Sequence, residues 1–290
     1  MFSPDLFAGK RILVTGGGTG LGRAMGERFL ELGAEVIICG RRGTILEQSA
    51  EDMMAAHGGT VIPHTVDIRD AEAVEAMADE IWKGGPLHGL VNNAAGNFIA
   101  RTKDLSANGF DAIANTVLHG TFYVTNACGK RWIAGGDPGN VISIVATWVW
   151  TGSPFVIPSA MSKAGITAMT KSLAVEWGAH GIRLNAIAPG PFPTEGAWAR
   201  LSPTDKMERD YTKSVPLGRP GETIELANLA SFLLADQCAY ITGAIIPIDG
   251  GQYLVGAGTF AQMRDLDDQD WHDIRARIQQ TNARDKADRG

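Results

Sequence analysis

Ile12-Leu13-Val14-Thr15-Gly16-Gly17-Gly18-Thr19-Gly20-Leu21-Gly22 is an apolar run that breaks into glycines. Ala, Met, Phe and Leu then recur at helical spacing from Arg23 to Leu32. The pattern predicts a strand, a tight turn and a helix. Glycines at 16, 20 and 22 let the backbone turn sharply, approach a diphosphate closely and seat the helix against the strand. N–H groups of the first helical turn then face an anion. Gly18, Thr19 and Leu21 complete this candidate phosphate cradle. A strand–helix turn with no ligand is the plainer alternative, and the units downstream weigh against it.

Those units alternate. Strands are expected at 35–39, 61–66, 88–91, 140–145, 182–188 and 244–248, from runs rich in Val, Ile and Leu. Helices are expected at 44–57, 71–83, 106–134, 158–179 and 223–234, from apolar residues at spacings of 3 and 4. Strands alternating with helices require crossover connections and hence a parallel sheet covered on both faces. We expect an α/β fold in three layers, a doubly wound parallel sheet of the Rossmann type with about seven strands and helices on both faces. Residues 1–290 form a single domain on this reading. Residues 190–221 are too long and too rich in proline and glycine for an ordinary connection, and are expected to form a substrate loop. In the charged tail, 260–290, Trp271, Ile274 and Ile278 are spaced as a short amphipathic helix that docks on another surface.

Composition narrows the function classes. Hydrophobic residues make up 44% and charged residues 20%, enough apolar surface for a large core. Net charge is −6, so no nucleic-acid partner is expected. Cys39, Cys128 and Cys238 lie far apart and outside any CxxC spacing, which reads as buried thiols in a reducing compartment. The N-terminus lacks a signal-peptide pattern, and the longest apolar stretch, about 141–150, is well short of a membrane span. A cytoplasmic protein without a membrane partner is expected. The six histidines make no ligand cluster with cysteine, so no metal is expected, and neither G-x-S-x-G nor H-E-x-x-H occurs.

Ligands of such sheets bind beyond the carboxyl ends of the strands, so the residues there carry the functional reading. After the second strand stand Arg41 and Arg42, where an NAD-selective site would carry an acid on the adenosine ribose. Paired guanidinium groups would bind a 2′-phosphate, which points to NADP, although arginines in a turn are also ordinary solvated charges. After the third strand come Asp67 and Ile68; Asp67 either accepts from the adenine amino group or caps the following helix.

Thr15-Gly16-x3-Gly20-x-Gly22, Asn92-Asn93-Ala94-Ala95-Gly96, Lys163, Pro189-Gly190-Pro191 and Asp249-Gly250-Gly251 occur in this order. Together they resemble the short-chain dehydrogenase/reductase family over nearly the whole chain. Asn93-Ala94-Ala95-Gly96-Asn97-Phe98, Pro158-Ser159-x3-Lys163-Ala164-Gly165 and Pro191-x2-Thr194-x-Gly196-Ala197-x2-Arg200-Leu201 are similar to its 2,4-dienoyl-CoA reductase branch, as is the tail with Phe260 and Trp271. The resemblance implies NADPH-dependent reduction of a conjugated enoyl thioester, in oxidation of unsaturated fatty acids, by a homotetramer. It adds Asn93, Ala94, Ala95, Gly96, Pro189, Gly190, Pro191 and Phe192 to the cofactor contacts, and Arg69, Gly120 and Arg200 to those of an acyl-CoA.

The chain departs from the classical Asn-Ser-Tyr-Lys set, with Val117, Ala146 and Ser159 at the first three positions and only Lys163 retained. A serine hydroxyl is a far poorer acid than a lysine-assisted tyrosine, so ordinary carbonyl reduction is not expected. The dienoyl branch instead implies Ser159 and Lys163, at i and i+4 on one helix face, as the cofactor-holding pair. It implies an Asn and a Tyr on the thioester oxygen, and His119 and Trp148 stand at those positions. Imidazole and indole N–H groups are both donors, so stabilisation of an enolate oxygen survives. Indole has no proton to deliver, whereas a histidine exchanges one near neutral pH, which makes His119 the candidate acid or water-holding donor. The plainer alternatives are a satisfied polar residue inside a long helix for His119 and a packing residue of the acyl pocket for Trp148. Two functional alternatives stay open: reduction of a trans-2-enoyl thioester or other short-chain reductase substrate, and an NADP-binding sensor or partner subunit with weak catalysis.

Overall fold

The structure is a computed structural model describing residues 2–194, 214–257, 266–274 and 276. Its strands are β1 (Arg11–Thr15), β2 (Glu35–Gly40), β3 (Thr60–Thr65), β4 (Gly89–Asn92), β5 (Gly139–Ile144), β6 (Ile182–Pro189) and β7 (Ile245–Ile248). All pair in parallel, in the order β3-β2-β1-β4-β5-β6-β7. The order reverses between β1 and β4, and the crevice at that point is where a doubly wound sheet takes its ligand.

Strand residues alternate between two buried faces. Ile12, Val14, Val36, Ile38, Ile142 and Ile187 pack on one side, against α1 (Gly20–Glu31), α2 (Gly43–His57) and α8 (Thr223–Leu234). Leu13, Ile37, Cys39, Leu90, Val141 and Leu184 pack on the other, against α3 (Ala71–Lys83) and α5 (Gly120–Gly135). Burial on both faces is why these strands read as unbroken apolar runs. Cys39 and Cys128 are fully buried, and burial pushes the Cys39 thiol up to about 12, so neither is a nucleophile.

Two expectations change. The helix expected over 106–134 is three segments: α4 (Ala107–Ala114), a π-helical turn (Asn115–His119) and α5. Ser106 caps it, its Oγ accepting from Gly109 N–H at 3.1 Å, and Thr116 Oγ1 donates to the Ala112 carbonyl at 3.0 Å. The Gly120 N–H reaches back five residues to the Asn115 carbonyl, the signature of a π turn. The second change concerns α3, which is capped by Asp70, accepting from the Glu72 and Ala73 N–H groups. Asp67 is therefore not the cap.

Most of the expected substrate loop (195–213), Arg200 within it, and the tail positions 258–265 and 277–290 lie outside the described residues. Residues 268–274 are helical, and Trp271 is exposed there.

Candidate active site

Gly16 has φ +65, a left-handed conformation that glycine adopts without the Cβ penalty. At Gly22 the demand is space, since a Cβ there would lie 2.3 Å from the Gly16 carbonyl oxygen. Alanine at 22 would force the α1 N-terminus off the loop. Thr19 stands at the N-cap but makes no side-chain cap bond, and the first turn carries no acid. An uncapped, acid-free helix N-terminus against a glycine turn fits the diphosphate of a dinucleotide. Gly18 and Leu21 lie in the same turn, Gly18 close to Leu46 of α2.

The loop after β4 is tied to this cradle. Thr15 Oγ1 accepts from the N–H groups of Asn93 and Ala94, both at 3.0 Å. Asn93 Nδ2 donates to the Thr15 and Gly16 carbonyls at 3.1 and 3.3 Å. Asn93, Ala94, Ala95 and Gly96 are thereby held beside the glycine turn. In the sequence Thr15 stands only as part of a motif, and its tie to the loop after β4 shows only in the structure. Thr194 is a second such residue: a Cβ on Gly20 would lie 3.6 Å from its side chain, so the chain leaving Pro189-Gly190-Pro191 returns over the cradle. On that path Gly190 N–H donates to the Ile248 carbonyl, and the Phe192 ring lies against Gly221.

At the adenosine end, Arg41 and Arg42 are exposed, and Arg42 is the N-cap residue of α2, whose first turn has no acid. Asp67 is gripped by Arg69, whose Nε lies 2.9 Å from both of its carboxylate oxygens. The Arg69 guanidinium holds the Asp67 carboxyl below the usual carboxylate range, and Arg41 adds to this through space. Half-buried Asp67 and exposed Arg69 and Arg41 thus form one cluster, while Ile68 is buried. Gly120 packs on Ile68: a Cβ at 120 would lie 2.7 Å from its side chain.

The reactive end is built on α7 (Ile157–Glu176). Ser159 and Lys163 are both buried there. Lys163 Nζ donates to the Ile144 carbonyl at the end of β5. Burial pushes the Lys163 ammonium down to about 8. α6 (Trp148–Thr151) and the π turn both pack on α7. Gly165 makes the second approach possible, since a Cβ there would lie 2.9 Å from Leu118, the residue before His119. His119 ends the π turn with its side chain exposed, its ring centroid 6.2 Å from that of Tyr123. It lies within the continuous helical run 107–135, exposed rather than buried. Trp148 is half-buried and Thr147 buried. Packing of α6 and the π turn on α7 thus brings together the segments that carry Trp148, His119, Ser159 and Lys163, and π turns recur at functional sites.

A family model described as enoyl-(acyl carrier protein) reductase matches residues 16–252. A Caenorhabditis elegans protein named "Probable 2,4-dienoyl-CoA reductase 3 [(3E)-enoyl-CoA-producing]" is 43% identical over 284 residues, 96% of this chain and 92% of that one. A Bacillus subtilis protein named "Probable 2,4-dienoyl-CoA reductase [(2E)-enoyl-CoA-producing]" is 41% identical over 247 residues, 84% of this chain and 97% of that one. Among solved structures, a short chain dehydrogenase from Bacillus anthracis superposes with a TM-score of 0.76 at 44% identity, covering 84% of this chain and 96% of that chain. A glycine cradle after β1, a tethered loop after β4, a buried Ser-x3-Lys pair and these matches together make the chain a member of the short-chain dehydrogenase/reductase family, similar to relatives that bear the 2,4-dienoyl-CoA reductase name.

Proposed function

We propose that this oxidoreductase reduces a 2,4-dienoyl-CoA with NADPH. The observation that carries the reading is the buried Ser159–Lys163 pair, with serine where a carbonyl reductase needs tyrosine; His119 and Trp148, on segments that pack on α7, are assigned as two N–H donors. A bound nicotinamide supplies hydride to the far carbon of the conjugated system. Lys163 and Ser159 hold the cofactor's ribose in place. Negative charge moves to the thioester oxygen, where donors aimed at that atom stabilise it. Trp148 donates a hydrogen bond only, and His119 returns the proton to carbon. Protonation next to the carbonyl leaves a 3-enoyl product, and protonation two carbons further leaves a 2-enoyl product. The two relatives' names divide along this line. The test is NADPH consumption with a panel of dienoyl- and enoyl-CoA thioesters, with the product double bond located. Turnover of dienoyl-CoA above the trans-2-enoyl-CoA rate is expected. Background rates with every thioester, alongside tight NADPH binding, would instead support a sensor or partner subunit.

NADP selection is assigned to Arg41 and Arg42, since no acid stands in that turn to repel a 2′-phosphate. Each charge-assisted bond is worth about 1.5–3 kcal/mol. The double variant Arg41→Ala/Arg42→Ala is expected to raise the KM for NADPH at least about tenfold and that for NADH less than about threefold. Equal effects on both cofactors would remove the pair from selection. Arg69, Gly120 and Arg200 are assigned to the acyl-CoA. A homotetramer is proposed from the resemblance to the family, and the outer face of α7, where Met161, Ala164, Ala168 and Val175 are exposed, offers apolar surface for a subunit contact. No helix among the described residues is long and apolar enough to cross a membrane, and a cytoplasmic setting goes with the three free cysteines.

A further inference from the structure

Trp150 and Tyr253 are stacked, ring centroids 5.1 Å apart and planes inclined by 28°. They come from distant parts of the chain: Trp150 from α6, after β5, and Tyr253 from α9 (Gln252–Ala257), after β7. β5 and β7 flank β6, so the pair spans the carboxyl end of β6, on the far side of β4 and β5 from the glycine cradle after β1. The placement is built. Asp249, buried at the end of β7, accepts from Gly251 N–H at 2.9 Å and from Tyr253 N–H at 2.8 Å, fixing where α9 starts. In the chain between Trp150 and α7 stands Phe155, the one non-glycine residue with positive φ among the described residues, at +66. A bulky side chain persists in that conformation only where its surroundings impose it, and such residues cluster at ligand sites. The Phe155 carbonyl is held by Ala100 N–H at 2.9 Å, joining this loop to the one after β4.

Among the described residues, the surface so formed is apolar and exposed. Trp150 is 44% exposed despite the stack, Phe155 52%, and Leu254, beside Tyr253, is exposed too. Neither Trp148–Ile157 nor Gln252–Ala257 contains a charged residue. Of the cations assigned to the cofactor and to CoA, Arg41, Arg42 and Arg69 follow β2 and β3 at the opposite end of the sheet, and Arg200 lies outside the described residues. Among the described residues, the cations beside the Phe155 loop, Arg101 and Lys103, are both paired with Asp104, so a thioester seated between the two ends finds its free cations at the Arg41 end. Its hydrocarbon end has apolar surface to cover at the Trp150 end.

We infer that the stacked Trp150–Tyr253 pair is the wall against which the hydrocarbon end of the acyl chain packs, so that the preferred substrates are medium-chain or longer rather than six-carbon thioesters. The assignment rests on the acyl-thioester reading above. Burial of one methylene is worth about fourfold in binding, so even partial coverage of four more methylenes gives at least about a tenfold preference. The experiment compares kcat/KM for 2,4-hexadienoyl-CoA and 2,4-decadienoyl-CoA in the wild type, Trp150→Ala, Tyr253→Ala and Tyr253→Phe. The wild type should favour the ten-carbon substrate at least about tenfold, and either alanine variant should narrow the ratio to about threefold or less. Tyr253→Phe, which keeps the ring, should keep the wild-type ratio. An unchanged ratio in both alanine variants overturns the inference, as does a change of oligomeric state on Trp150→Ala with the ratio intact, which would make the pair a subunit contact. If the wild type turns over neither substrate, the reductase reading fails separately. The wall is then judged by Kd for hexanoyl-CoA and decanoyl-CoA in the same four proteins, with the same ratios expected and equal Kd values overturning it.

Discussion

Replacing Lys163 with methionine should abolish most activity and raise the melting temperature together. Lys163 is buried, and its ammonium is pushed down from 10.5 to about 8 by desolvation. A group whose folded pKa lies below its unfolded value binds its proton more readily unfolded. Its favourable contribution is therefore present above the unfolded value and lost as pH falls through the folded one. At pH 7 the charged lysine costs the fold about 3 kcal/mol. Methionine removes that cost at similar volume and gives up the bond to the Ile144 carbonyl, worth about 1 kcal/mol. The net gain, about 1–2 kcal/mol, corresponds to a rise of a few degrees. Over the same substitution kcat/KM should fall by about 10³, the scale of losing one charged group that positions the reacting pair. Wild-type kcat/KM should also decline above about pH 8 as the free enzyme loses the ammonium, a limb absent from the variant's residual activity. Calorimetry and a pH–rate profile check both halves. A lower melting temperature, or activity within tenfold of wild type, contradicts the role given to this buried charge.

The second large effect is expected at His119. His119→Ala should lower kcat by about 10² or more, the ordinary contribution of one general acid, and leave the Kd for NADPH unchanged. Stability should hardly move, because the side chain is exposed and alanine suits a helix. His119→Gln separates two roles: it keeps an N–H donor for the thioester oxygen but cannot carry a proton. If His119 is the acid, Gln and Ala variants should be similarly slow. Should Gln restore the rate, His119 serves as an oxygen-stabilising donor and the proton comes from water. Equal kcat in wild type and His119→Ala would remove the residue from the reaction.

The cradle and the sheet were legible in the chain because both are written in backbone-scale patterns. Gly16 and Gly22 are needed for a conformation and a close approach that other residues cannot supply, and Ile12-Leu13-Val14 marks a strand buried on both faces whatever surrounds it. Ser159 and Lys163, four apart, had to share a helix face. The π turn before His119 was not legible, since one wider turn leaves the apolar spacing of the long helix almost unchanged while redirecting the side chain at its end. Which acid caps α3 also depended on the path of the chain: only Asp67 is weighed as a cap in the sequence, yet Arg69 takes it while the α3 amides take Asp70. Thr15, Thr194 and Tyr253 gained their places through partners 78, 174 and 103 positions away, namely Asn93, Gly20 and Trp150. Local periodicity and glycine sterics act over a few residues and can be read along the chain. Contacts between loops at the carboxyl edge of the sheet depend on strand order, which exists only once the chain has folded.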